Sequence, residues 1–176
     1  MLTAEQIEAN WTKFLFIIDS YITGDRKDKL KAFYKKYEDR IVLMPASHKI
    51  QYHNCFPGGY VDHVNRVVEA ALNLHDVWVQ MGVTQNYTKE ELVFAALNHD
   101  LGKIGTEEEA AYIEQTDQWR KEKLNEMYTY NDKIEFMSVP DRSLFLLQTN
   151  GIEVTKNELL AIKLHDGLYD EANKPY

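Results

Sequence analysis

The stretch "ALNHDLGKIG", residues 95–104, decides how the chain is read. An apolar, helix-forming run carries a histidine and an aspartate side by side, then stops at a glycine and a lysine. A buried His99-Asp100 pair costs free energy unless something satisfies it. A hydrogen-bond network, a salt bridge or a metal ion each meets that need.

Working outward from this pair, the sequence predicts a mostly helical, all-α chain. Residues 88–101 form one helix, with Thr88 as N-cap and Glu91 completing a capping box. Residues 60–81 form another, closed by Gly82. Residues 4–22 place Ile7, Trp11, Phe14, Leu15 and Ile18 at helical spacing, with Thr3 and Gln6 as a capping box at the start. Residues 25–38 set Leu30, Phe33, Tyr34 and Tyr37 among charges. The final helices cover 138–149 and 155–166, the latter capped by Thr155 and Glu158. Residues 107–127 are acidic and expected to be helical. Residues 127–136, "MYTYNDKIEF", read as a short extended or hairpin excursion turning at Asn131-Asp132. Between the second and third helices, residues 44–60 carry two prolines and two glycines and no helical period, so they form a long loop. Ordered loops of that length are often functional.

Composition narrows the function. The 176 residues suit one domain with a sizeable core. The net charge of −8 argues against coating a nucleic-acid backbone, which needs a basic footprint. One cysteine, Cys55, allows no internal disulfide and suits a reducing compartment. No stretch is apolar enough for a membrane span, and the N-terminus lacks the pattern of a signal peptide. A cytoplasmic protein is expected.

Six histidines are present, and His-Asp occurs at 75–76, 99–100 and 165–166. On the 60–81 helix, Val61, Val64, Val68, Leu72, His75 and Val79 form one apolar row. His63, Val67, Ala70, Leu74 and Val77 form a second, and Asp62, Arg66, Glu69 and Asn73 fill a polar strip. This helix is expected to be buried on two sides. His63 and His75 stand roughly 18 Å apart along it, too far to share a site. His63 follows Pro57-Gly58-Gly59, where glycines permit close backbone approach. Ala95 and Ala96, one turn behind His99 and Asp100, leave room for a neighbouring helix. His63 and the His99-Asp100 pair can then converge on one cation, and imidazole with carboxylate suits a divalent first-row metal.

These residues resemble a family. "GGYVDH" followed by "ALNHDLGKIG" is similar to the HD superfamily of metal-dependent phosphohydrolases. The pattern from His53 through Pro57-Gly58-Gly59 to His63 is closest to HD domains associated with 3′–5′ exoribonucleases and to phage-borne HD proteins. The resemblance spans roughly residues 48–170. It implies an HD-domain helical bundle over 44–176, with residues 1–43 as an N-terminal helical extension. It implies His63, His99 and Asp100 as metal ligands. Asp100 would also orient water, and Lys103 would face substrate phosphate as a catalytic residue. "AIKLHDG", residues 161–167, resembles the family's late His-His-Gly element. That makes His165 a second-metal or substrate residue and leaves Asp166 as an extra ligand in place of the usual histidine. The family's last aspartate ligand lies on a later helix than any here, so the chain is expected to lack that helix. No histidine occurs between 101 and 164, so one metal per chain is expected, whether Mn, Fe, Ni, Zn or Mg.

The function this implies is hydrolysis of a nucleotide or other small phosphoester by activated water. His53, Lys103, Arg66 and His165 would contact the substrate. A short single-stranded nucleic-acid end is a further partner class, and the resemblance admits an oligomer. The alternative is a catalytically degenerate HD module that binds a nucleotide or a protein partner.

Overall fold

The structure, a computed structural model, describes residues 1–176. Eight α-helices follow in order: α1 (Ala4–Tyr21), α2 (Gly24–Lys36), α3 (Glu38–Ile41), α4 (Gly59–Gln80), α5 (Lys89–Asn98), α6 (Gln118–Leu124), α7 (Val139–Thr149) and α8 (Lys156–Lys163). Two strands of three residues each, β1 (Tyr112–Glu114) and β2 (Tyr128–Tyr130), pair antiparallel with Tyr112 opposite Tyr130. The fold is therefore all-α, with a two-stranded ribbon on its flank. No helix is long and apolar enough to cross a membrane.

Local chemistry starts the main helices. Thr3, Thr88 and Thr155 each cap a helix, with Gln6, Glu91 and Glu158 returning the bond to the cap backbone. Each box satisfies two amide groups that the helix itself leaves unpaired. Packing does the rest. One core cluster of 26 buried residues draws on α1, α2, α4, α5, α7 and α8. Phe14, Tyr34, Phe94, Leu97 and Leu147 are among its fully buried members. Residues 1–43 thus share one core with the rest of the chain.

α5 runs through the middle, packed against α1, α4 and α8. Val93, Phe94, Leu97 and Asn98 are all fully enclosed. Asn98 stays buried because its amide donates to the Phe94 carbonyl and its oxygen accepts from the Tyr34 hydroxyl. The helix ends earlier than expected, at Asn98, and a 3-10 turn from Leu101 to Ile104 replaces its last turn.

Only the first half of α4 is embedded. Val61, Val64 and Val68 enter the core, whereas Leu74, Val77, Trp78, Val79 and Met81 are about half exposed or more. The expectation of burial on two sides fails beyond Leu72: Ala71 and Leu72 still pack on the core, while the outer turns only border a groove shared with α5 and α8. Asp62 and Asn65 are instead buried, since α1 lies across them: Asn10 donates to Asp62 and its carbonyl accepts from Asn65.

The segment 107–127 departs most from its reading. Only Gln118–Leu124 is helical. At the start of the segment, Arg40 donates to the carbonyls of Ile104, Thr106, Glu107 and Glu109, holding them as a turn closed by the Thr106 amide on the Glu109 carbonyl. The excursion near 128–137 takes the extended alternative, as the strand Tyr128–Tyr130, and not a local hairpin. Its strand pairs back to β1, and Asn131 donates to Ala110 and Glu109, fastening the turn to the earlier segment. The last helix stops at Lys163, leaving His165 and Asp166 in a turn.

The long loop is held at both ends. Ser47 donates to the His53 carbonyl, Ala46 to that of Asn54, and Asn54 to both Gly59 and Asp62. A Cβ at Gly59 would run into the Asn54 carbonyl, well inside van der Waals contact. Gly59→Ala is therefore expected to push the loop off the start of α4. The expected cost is about 1–3 kcal/mol, read as a lowered midpoint in urea unfolding.

Candidate metal centre

Six side chains from five parts of the chain meet at the end of α5. His99 closes that helix and Asp100 follows it. His63 comes from the first turns of α4, His53 from the loop before it, and His165 from the turn after α8. Lys103 lies one 3-10 turn beyond Asp100. Among the sequence-predicted residues, His63, His99, Asp100, Lys103, His165 and His53 are thus brought together.

The distances resemble those between ligands on one ion. His63 Nε2 lies 3.2 Å from His99 Nε2 and 3.3 Å from Asp100 Oδ2. His99 Nε2 lies 3.4 Å from the same oxygen. The other oxygen, Oδ1, lies 3.6 Å from His165 Nε2. Two atoms each bound about 2.1 Å from a common metal stand roughly 3 to 3.5 Å apart. His53 stacks its ring 4.3 Å from that of His63, at the exposed rim.

Ring orientation is fixed from behind. His99 Nδ1 donates to the Ala96 carbonyl at 2.8 Å, and His165 Nδ1 to the Ile162 carbonyl at 2.9 Å. With one proton committed to Nδ1, each Nε2 can offer a lone pair to an ion once it gives up the proton it shares with Asp100. Backbone carbonyls orient metal-binding histidines in this way. The donor set, several imidazoles and one carboxylate, fits a divalent first-row ion.

Asp100 joins two groups that could each hold an ion. One is His53, His63 and Asp100; the other is His99, Asp100 and His165. Its carboxylate is nearly inaccessible. Burial alone pushes its pKa up and is the largest single influence. Hydrogen bonds from His165, His63 and His99, with the charge of Lys103, outweigh burial and hold the carboxyl well below its usual range. Burial lowers His165, but its bonds to Asp100 and to the Ile162 carbonyl win, so the imidazole is raised. His53 is lowered, first by burial and then by the neighbouring His63.

Three assignments made from sequence change. Arg66 stands outside the cluster: its Nε bonds Asp62 at 2.9 Å and its side chain is 71% exposed. Asp62 shares the polar strip of α4 with Arg66, and as a buried carboxylate it recruits the arginine. Asp166 is half exposed and reaches only His165, at 3.5 Å. Lys103 Nζ stands 2.6 Å from Asp100 Oδ2, so the lysine is first of all the carboxylate's ion-pair partner.

Other residues of the centre were not legible in the sequence. Ser143, fully buried on α7, accepts from the Gly102 amide at 2.7 Å and sits within reach of the His99 and Val139 carbonyls. It fixes the turn that carries Asp100. Gly102 is required there, because a Cβ would strike the Val139 carbonyl. His48 packs against Tyr52, Tyr112 and Tyr130 and builds an aromatic wall beside Lys103. A serine in an amphipathic helix and a lone loop histidine carry no signal of such roles.

The purified protein is expected to bind one or more divalent ions, read by titration with Mn, Ni or Zn. His99→Ala should abolish that binding, whereas Arg66→Ala should leave it unchanged. Affinity should fall steeply as the pH drops from about 8 to 6, because protons compete for the imidazoles. The raised His165 extends that competition above the ordinary histidine range.

The chain matches no family model, no curated protein and no solved structure.

Proposed function

We propose that this chain is a metal-dependent phosphohydrolase of the HD type, acting on a nucleotide or similar small phosphoester. The observation that carries the reading is the convergence of His63, His99, Asp100 and His165 at ligand-to-ligand distances. The motif resemblance of "GGYVDH" and "ALNHDLGKIG" supports the same reaction class.

The chemistry a divalent ion supplies when bound there is polarisation of a phosphoryl oxygen and acidification of water. The residues have separable parts to play. His63, His99, Asp100 and His165 would hold the ion. The Oδ1 atom of Asp100, on the His165 side, would orient water as an ionised acceptor. Lys103 Nζ is the nearest protein cation and can offset charge that builds on the phosphoryl oxygens. Its four-carbon stem gives it the reach to do so. His53, at the rim, is placed to contact substrate oxygen.

One observation favours a second reading, an HD module that binds without hydrolysing. The cluster contains a single enclosed carboxylate. Asp166 is half exposed, and Asp170 is engaged in capping a 3-10 turn through the Ala172 amide. Neither replaces the last aspartate that the resemblance leads one to expect.

Assays of nucleoside monophosphates, triphosphates, cyclic nucleotides and short oligoribonucleotides with each candidate metal separate the two. The enzyme reading expects turnover that Asp100→Asn reduces at least about a hundredfold. Metal binding without turnover of any substrate would establish the binding module instead.

A further inference from the structure

A cavity of about 440 Å³ opens beside the cluster, with Lys103 in its wall. The same cavity is lined by Arg142 of α7, more than nine-tenths buried. No carboxylate forms an ion pair with this guanidinium. Its Nη2 donates to the Glu135 carbonyl at 2.8 Å and its Nη1, at 3.4 Å, to that of Gly102. Two carbonyl bonds, one of them long, leave most of five N–H donors unused. Arg40 shows the contrast, since it spends its donors on four carbonyls. A buried cation without an acid partner is costly, and an anionic ligand relieves that cost.

Three aromatic rings, Tyr112, Tyr130 and Phe136, line the cavity beside Ile134, Met137 and Val139. Tyr112 and Tyr130 face each other with centroids 5.2 Å apart, and His48 packs on both. Phe136, almost fully exposed, stands at the mouth. Glu135 is the one carboxylate along the rim. Such rings take a planar group by stacking.

We infer that this cavity is a substrate subsite for a nucleoside bearing a second phosphate: the base lies against Tyr112 and Tyr130, and Arg142 binds the second phosphate while the first lies at the metal cluster. The placement of the first phosphate rests on the phosphohydrolase reading. The recognition by Arg142 does not. A nucleoside 3′,5′-bisphosphate and the 5′-phosphorylated end of a short oligonucleotide both carry this chemistry.

The test reads the arginine directly. In metal-free, 15N-labelled protein, the Nε–H resonance of Arg142, assigned by its absence from Arg142→Lys, is followed during titration. Adenosine 3′,5′-bisphosphate is expected to shift it saturably, and adenosine 5′-monophosphate to bind at least about tenfold more weakly. Titration with the dinucleotide pApA tells the two sources apart. Arg142→Met should bring the bisphosphate down to the affinity of the monophosphate. If that variant fails to fold, the wild-type titration decides alone. An Nε–H resonance unmoved by either nucleotide, or equal affinity for both, overturns the subsite. Turnover of monophosphates with a silent Arg142 would leave the enzyme reading standing and remove only the subsite. A responding Arg142 without turnover would do the reverse.

Discussion

A carboxylate sealed from water must find its counter-charges inside the protein, and the arrangement around Asp100 answers that constraint. Desolvation works against the ionised form, and three imidazoles with one ammonium work for it. Each of those groups comes from a different place in the chain, so the ionised carboxylate draws α4, α5, the turn after α8 and the 3-10 turn onto one point. Breaking one partner of a buried ion pair costs about 3–5 kcal/mol. The imidazoles among those groups, once deprotonated, and the carboxylate itself could hold a cation, so stability and any metal binding would draw on the same atoms.

The supports behind the cluster matter as much as the cluster. His99 and His165 are steered by carbonyls three residues earlier, a relation that helical geometry supplies without added sequence. The turn at Asp100 depends on α7 lying close, which only a glycine at 102 allows, and on the Ser143 hydroxyl, which ties the two together. His53 depends on a loop whose path is set by Ser47, Asn54 and the missing side chain at Gly59. A long connection with no regular structure is thereby held in one conformation.

What could be read from the chain was what depends on neighbours in sequence. The caps at Thr3, Thr88 and Thr155 need only a partner three residues on, and all three form. The grouping of His63 with His99 and Asp100 was legible because glycine, small residues and adjacent ligands occur together in two short motifs. Contacts between distant segments were not. Arg40 reaches across to residues 104–109, which stand as a turn where the acidic run favours a helix. Asp62 reads as a surface residue until Asn10 is laid over it, and Arg66 was misplaced for the same reason. Nothing near Ser143 or His48 in sequence marks them as part of the site.

The uneven embedding of α4 divides that helix into two mechanical parts. Its first turns, with Val61, Val64 and Val68 in the core, form the anchored end and carry His63. Its last turns leave Trp78 half exposed and Met81 mostly so, and are held at the surface by His75 against Tyr87 and by the Asp76–Lys89 pair. Fewer buried contacts back those turns than the first ones, so opening them locally costs less than global unfolding. The outer turns can fray and re-form while the imidazole at the other end keeps its place.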